Sequence, residues 1–424
     1  MDSTTLLTSS APGTPGVGGV LIQAMLGCED VQPVRIASIL APAVRESVTK
    51  THTSSVTFFD PVDEFYDPIH KGIAGTIKRL RRRQTVYDRA IEVLAERLRQ
   101  YLNQNPPEQL WLILNSLATI DVATALLPAI RCRLLVQVWD DAEHLCLQRN
   151  CDRLTRRRTV GRFRRLLARA DRTAVICEQM REAYRPHVKN SPIVIRLGVD
   201  TEALQPRWAP SHPSEFRIGL SGSMYCHHEW RILQQCCDNL GWTIDGKRIV
   251  LVVVGGRIEF RSRSNAECRF YGWRPPEETH EIMSSCDVLY LPQSSAPEND
   301  PLTRLSFPTK LSSYVATGRP ILVQAPRKGS LRPFCETHHF GAVCDADDLG
   351  AIERSLRLLA TDKSFRVDQA EASCRVAREV LTARAFAAGV RSLLGIPRSE
   401  SDEPLRIAGE SEGFSPAGPG GSRH

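Results

Sequence analysis

The 424-residue chain is longer than one ordinary core and suits two α/β domains of roughly 150–200 residues each. Hydrophobic residues at 42% and charged residues at 24% exclude wholesale disorder and a membrane bundle, and no apolar run reaches the roughly 18 residues of a spanning helix. The formal net charge of +7 is concentrated in the first half, where Lys78–Arg83 reads KRLRRR and Arg153–Arg172 holds nine arginines in twenty residues, patches that favour anionic partners. The first residues, MDSTTLLTSS, carry no basic n-region of a secretory signal. Thirteen cysteines without CxxC spacing read as reduced, packing thiols rather than zinc ligands. Both features place the expected home in the cytoplasm.

In chain order, short apolar runs alternate with helical patterns, the mark of parallel sheets joined by crossover helices. Strands are expected at Thr4–Ser9, Val34–Leu40, Ser55–Phe59, Leu112–Asn115, Leu134–Val138 and Ala174–Cys177. The clearest helix runs from about Gly72 to Asn103, with Ile73, Ile77, Leu80, Tyr87, Ile91, Leu94, Leu98 and Tyr101 on one stripe. LQPRWAPSHPSEF has little periodicity and reads as a linker at 205–215 between a first domain, 1–204, and a second, 216–396. Strands follow at Phe216–Leu220, Arg248–Val254, Arg269–Tyr271, Val288–Leu291, Ile321–Val323 and Ala342–Cys344, then helical patterns at Asp348–Ala360 and Val367–Leu393, with the last helix, near Leu381–Leu393, expected to pack back toward the first domain. The Ser-, Glu-, Gly- and Pro-rich end, 397–424, reads as a disordered tail. The expected class is α/β, with two facing doubly wound domains and a cleft between them.

Three segments carry chemistry. APGTPGVGG follows the first strand and opens a helix, so Gly16, Gly18 and Gly19 fit either a phosphate or sugar contact through backbone N–H groups or a plain tight turn. FRIGLSGSMYCHHEW repeats the device with Gly219, Gly222 and Ser223. Its His227 and His228 lack partners at metal-ligand spacing, and no metal site is expected. SFPTKLSSYVATGRPIL places Lys310 near a helix start and ends the helix at Gly318. A lysine beside a positive helix terminus is awkward unless an anion sits there, so a phosphate contact is the sharper reading and a solvated lysine the plainer one.

This stretch resembles the PSKLLEYLAAGRPVV pattern of GT-B retaining glycosyltransferases of the group-1, family-4-like kind, whose two domains are Rossmann-like. The resemblance extends in order through GTPGVGG, LLVQVWDDAEH, ADRTAVICEQMREAY, IRLGVDTEAL, FYGWRPPEETHEIMSSCDVLYLP and CDADDLGAIERSLRLLATD. It implies transfer of a sugar from a nucleotide diphosphate, with retention and with neither metal nor cofactor. The donor would lie mainly on the second domain and the acceptor, a glycan, lipid-linked compound or small molecule, on the first. Donor candidates are the amides of Gly219–Ser223, Lys310, Arg304 and Arg257, with base contacts at Tyr271–Arg274.

Departures from the pattern sharpen the question of activity. The two glutamates usual on the donor side fall here on Leu305 and Ser313, so Glu298 or Asp300 would supply the sugar contact. The Arg and Lys usual after the first strand of the second domain are replaced by Ser221, Ser223 and the histidines. Trp139 stands where relatives often have His, beside Asp140 and Asp141, with His144 a turn on. Asp140 fits a contact with the acceptor or the reacting sugar, or, with Asp141, a helix cap. The alternative is an inactive scaffold that binds a nucleotide sugar or glycan. Nucleic acid is not expected, because no stacking aromatics accompany the arginines. Arg153–Arg172, apolar on one helical face, would instead set the protein against anionic headgroups at the inner face of a membrane.

Overall fold

The computed structural model describes residues 3–14, 16–28, 31, 34–48, 55–62, 75, 77, 83–200, 204–261 and 265–397. Two parallel sheets dominate it. The first contains β1 (Thr4–Thr8), β2 (Val34–Ile39), β3 (Val56–Phe59), β4 (Gln109–Leu114), β5 (Arg133–Val138), β6 (Arg172–Val175) and β7 (Ile193–Val194). Their order is β3-β2-β1-β4-β5-β6-β7, so the chain reverses direction across the sheet between β1 and β4. All of these pairs are parallel. Burial on both faces explains runs such as QLWLIL, buried throughout.

The covering helices are α1 (Val17–Leu26), the short α2 (Pro42–Arg45), α3 (Asp88–Gln104), α4 (Leu117–Leu126), α5 (Ala142–Gln148), α6 (Arg153–Arg169) and α7 (Glu178–Tyr184). In α3 the expected stripe is present, with Ile91, Leu94 and Leu98 buried. A π turn at Arg83–Tyr87 precedes it and shifts the helical phase. Ile77 is exposed rather than on the stripe, and Ile73 and Leu80 lie outside the described residues.

The second sheet repeats the plan with β8 (Glu215–Ser221), β10 (Lys247–Val254), β11 (Glu267–Gly272), β12 (Val288–Pro292), β13 (Ile321–Gln324) and β14 (Ala342–Cys344), in the order β11-β10-β8-β12-β13-β14. The short β9 (Thr243–Ile244) pairs antiparallel with β10. Helices α8 (His227–Asn239), α9 (Pro276–Ser284), α10 (Asp300–Leu305), α11 (Lys310–Val315), α12 (Leu331–Thr337), α13 (Leu349–Thr361), α14 (Lys363–Glu379) and α15 (Ala383–Leu394) complete the described chain. No helix among the described residues is long and apolar enough to cross a membrane. The tail from 398 onward lies outside the described residues.

The helical pattern at Val367–Leu393 is two helices, because the chain changes sheets at Val380–Thr382. Thr382 caps α15 by accepting from the Ala385 N–H at 2.9 Å and forms a parallel bridge with Val199. Phe386, Val390, Leu393 and Leu394 of α15 then share a core with Leu6, Trp111 and Leu135 of the first sheet. The 205–215 segment is pinned to the second sheet's side. The Arg319 guanidinium donates to the carbonyls of Ser284, Arg207 and Ala209 at 2.9, 3.1 and 2.7 Å. A Cβ on Gly318 would stand 2.2 Å from the Gln205 carbonyl oxygen. The two crossings between halves are therefore at Gly198–Val199 and Leu381–Thr382.

Candidate active site

Helices α5 and α7 follow the C-terminal ends of β5 and β6, and α10 of the second half lies against both. The carboxyl edges of the two sheets thus face each other, and in doubly wound folds ligands bind at such edges, where strand order reverses. Two further contacts join the halves. The Ser312 hydroxyl donates to the Leu197 carbonyl at 2.6 Å. The Arg196 guanidinium, paired with Glu178, stacks 4.6 Å from the Phe307 ring centroid and 5.0 Å from that of Phe334.

On the second sheet the turn after β8 carries Gly222 at φ +84° and the exposed Ser223. The Gly222 N–H donates to the Val254 carbonyl, and the Gly255 N–H to the Gly272 carbonyl, both at 2.8 Å, so the ends of β8, β10 and β11 interlock. A side chain on Gly255 would meet the Gly222 carbonyl oxygen at 2.8 Å. Lys310, first residue of α11, points its ammonium at this turn and donates to the Ser223 carbonyl at 3.2 Å. Burial pushes its pKa down, opposed by the nearby Cys226, and it has no carboxylate partner among the described residues. A half-buried cation beside a glycine turn, with only a neutral carbonyl for partner, is a group whose charge an anion would offset.

Gly219 lies inside β8, where a Cβ would come within 2.7 Å of Cys286 Sγ. Its lack of a side chain serves strand packing, a correction to its place in the ligand loop. Arg257 is exposed beyond Gly255–Gly256, and Tyr271 is partly exposed at the end of β11. Arg274 pairs with Glu278 at 3.4 Å, and Arg304 with Asp300 at 2.9 Å, so both guanidiniums are engaged. Glu298 is exposed on the turn Pro297–Asn299, and Ser313 is exposed on α11, one turn from Lys310.

On the first sheet Gly16, at φ +97°, precedes α1. A Cβ on Gly18 would lie 2.4 Å from Ser10 Oγ and 3.4 Å from Trp139 Cζ3, and one on Gly19 would lie 2.1 Å from the Thr14 carbonyl oxygen. These glycines let α1 close onto its own loop and onto the end of β5. Ser9 Oγ donates to Asn115 Oδ1 at 2.8 Å, linking the ends of β1 and β4.

The carboxylates of Asp140 and Asp141 have different surroundings. Asp141 caps α5, with Oδ1 accepting from the N–H groups of Glu143 and His144 at 2.8 and 3.2 Å, while Oδ2 accepts from the Tyr184 hydroxyl at 2.7 Å. Asp140 is pushed up to about 6, by burial first and by the Asp141 charge second. Trp139 and His144 are both buried, and burial pushes the His144 pKa down against the opposing pull of the Asp141 charge.

Sequence reasoning did not find Arg196, whose pairing needs chain segments far apart, or Glu229, buried in α8 against the loop after β12. A lone Glu in HHEW carries no local signal of burial.

No protein-family model matches the sequence, and a comparison with curated protein sequences finds no match. Solved structures do match. Anabaena HepE, in complex with UDP and glucose, is 13% identical, with 93% of this chain and 99% of that chain covered and a TM-score of 0.63. Sucrose-phosphate synthase from Thermosynechococcus elongatus is 13% identical over 93% and 98% of the two chains, with a TM-score of 0.64. An α,α-trehalose-6-phosphate synthase from Burkholderia multivorans is 11% identical over 93% and 97%, with a TM-score of 0.62. Two Rossmann-like sheets in this order, joined by two crossings and matched along nearly the whole chain, give the chain the GT-B glycosyltransferase fold.

Proposed function

We propose that the chain is a glycosyltransferase that binds a nucleotide-diphosphate sugar on its second domain and transfers the sugar to an acceptor hydroxyl held on the first. The observation that carries this reading is Lys310, half-buried and without a carboxylate partner among the described residues, its ammonium 3.2 Å from the Ser223 carbonyl at the Gly222 turn. In transfer, the bond from the anomeric carbon to the diphosphate oxygen breaks, the acceptor oxygen bonds to that carbon on the face the diphosphate leaves, as retention requires, and the acceptor's hydroxyl proton passes to a base. Charge gathers on the departing diphosphate, where Lys310 lowers the barrier, the Ser221 and Gly222 N–H groups being taken by Tyr314 and Val254; one preorganised donor is worth on the order of 10²–10³ in rate. Asp140 is the group proposed for the acceptor side, because a carboxylate raised to about 6 is ionised at neutral pH yet basic enough to take a hydroxyl proton.

Retention and independence of metal belong to the same proposal and rest on the motif resemblance. Lys310 is the principal diphosphate grip in this reading, and Arg304 and Arg274, held only in exposed pairs with Asp300 and Glu278, stay available to join it. The test is a thermal-shift screen with nucleoside diphosphates, UDP first, followed by donor hydrolysis with and without chelator. A ligand at 100 times its Kd stabilises by about 2.7 kcal/mol. No shift with any nucleoside diphosphate overturns the reading, and binding without hydrolysis or transfer supports the inactive scaffold instead.

The second part of the proposal concerns location, at an anionic membrane face. In α6, Arg162 is held by Asp121 at 2.6 Å and Arg156 by Glu143 at 3.5 Å. Arg153, Arg157, Arg158, Arg164 and Arg165 stay exposed, without carboxylate partners among the described residues, around the exposed Leu154. Such a face fits acidic headgroups, each basic residue adding about 1 kcal/mol near the surface.

A further inference from the structure

Glu229, in the first turn of α8, is fully buried. Its Oε1 accepts both from the Ser295 backbone N–H at 2.6 Å and from the Ser295 hydroxyl at 2.7 Å. Its Oε2 is buried with no hydrogen-bond partner among the described residues. A desolvated carboxylate with one oxygen unpaired is a poor source of stability. The geometry of what it holds is the more informative feature.

Ser295 stands in the loop after β12, beside the point where strand order reverses between β8 and β12. That loop is tightly built. Thr303 Oγ1 donates to the Ser294 carbonyl at 2.7 Å, Asn299 Nδ2 to Ser294 Oγ at 3.1 Å, and Gln293 Nε2 to the Thr303 carbonyl at 2.9 Å. It carries the exposed Glu298 and continues into α10, which touches the first half. Cys226 links this loop to the anion site: its thiol lies 3.6 Å from the Pro292 carbonyl, and Glu229 and Lys310 both act on it electrostatically. Ser295 Oγ also lies 3.2 Å from Asp347 Oδ1, itself 2.9 Å from His228 Nε2. A serine has one hydroxyl proton, so it serves Glu229 or Asp347 in turn, while the backbone N–H stays with Glu229.

We propose that Glu229 is a positioning residue that sets the sugar end of the donor site. It grips Ser295 and so fixes the 293–299 loop beside the diphosphate grip of Lys310. Nucleotide affinity and sugar selection are then carried by separate parts: the Gly222–Ser223 turn with Lys310 for the diphosphate, and the loop held by Glu229 for the sugar. This rests on the donor-site reading above.

The experiment compares full-length wild type, Glu229→Gln, Glu229→Ala and Ser295→Ala by calorimetric titration with UDP and with UDP-glucose, alongside hydrogen exchange of the 293–299 segment. UDP is expected to bind all four within about twofold. UDP-glucose is expected to bind Glu229→Ala about tenfold more weakly, with Glu229→Gln and Ser295→Ala in between because each keeps the hydrogen bond from the backbone N–H at position 295. Exchange at 293–299 should quicken in the Ala variants. Ser295→Ala leaves the buried carboxylate in place and carries the test if Glu229→Ala fails to fold. Equal weakening of UDP and UDP-glucose, or no weakening of either, overturns the proposal. Failure of wild type to bind any nucleoside diphosphate instead removes the donor-site reading on which it rests.

Discussion

The Lys310 ammonium donates to the Ser223 carbonyl at 3.2 Å, a hydrogen bond across 87 positions of sequence that joins the first residue of α11 to the turn after β8. A neutral carbonyl does not repay the desolvation that pushes the Lys310 pKa down. On the proposed reading the cation takes a stronger acceptor, the donor's diphosphate, when the ligand binds. Lys310→Ala should therefore weaken nucleoside-diphosphate binding by about tenfold or more, the worth of a charge-assisted hydrogen bond, with little fall in Tm. Titration calorimetry and a thermal melt of the same samples check both halves, and unchanged affinity would remove Lys310 from the site.

Asp140 makes a paired prediction for activity and stability. Its pKa in the fold, about 6, lies above the ordinary aspartate value of 3.8. A carboxyl raised on folding stabilises the fold fully below the lower value, and that contribution is lost as pH climbs through about 6. Asp140→Asn should thus stabilise the protein at pH 7.5 by about 1–3 kcal/mol and hardly at all at pH 4. Transfer should fall by 10² or more, and the wild-type loss of kcat/KM below about pH 6 should disappear from the residual rate. Melts across pH and a pH–rate profile decide it; full activity in the variant would end the proposed role.

Arg319 serves three backbone carbonyls, two of them in the 205–215 segment. Replacing it with alanine strands those acceptors and frees the segment, at an expected cost of about 2–4 kcal/mol. Arg319→Lys should recover only part, because an ammonium lacks the planar fork. Chemical denaturation measures both.

At the crossing between halves, a Cβ on Gly198 would stand 1.9 Å from the Thr382 carbonyl oxygen. Gly198→Ala must push apart the two strands of chain that connect the domains. A loss of about 1–3 kcal/mol is expected, with a change in domain disposition visible by small-angle scattering. An unchanged scattering profile and Tm would show that the crossing yields freely.

The arginine face of α6 predicts salt-reversible pelleting with vesicles rich in anionic lipid at low ionic strength, where the Debye length is long. Replacing Arg153, Arg157, Arg158, Arg164 and Arg165 with glutamine should abolish it without altering donor affinity. Arg162 must be left in place, since it pairs with the buried Asp121. Absence of pelleting at low salt would refute the membrane proposal.

The sequence by itself determined the repeated strand and helix alternation. Apolar runs such as QLWLIL and KRIVLVVV match strands buried on both faces, and their boundaries fall within a few residues of expectation. It determined the glycine turns and the position of Lys310 as well, because turn chemistry and helix starts are local and each is written within a few consecutive residues. Only the tertiary structure decided which of these groups are committed elsewhere. Asp141 is held by Tyr184, 43 positions on, and Gly219 is closed off by Cys286, whereas Asp140 and Lys310 have no opposite charge among the described residues. Tertiary structure also set the break at Val380–Thr382 and the burial of Glu229 against Ser295. Desolvation and pairing are sums over neighbours brought together from distant segments, and no local pattern of residues encodes them.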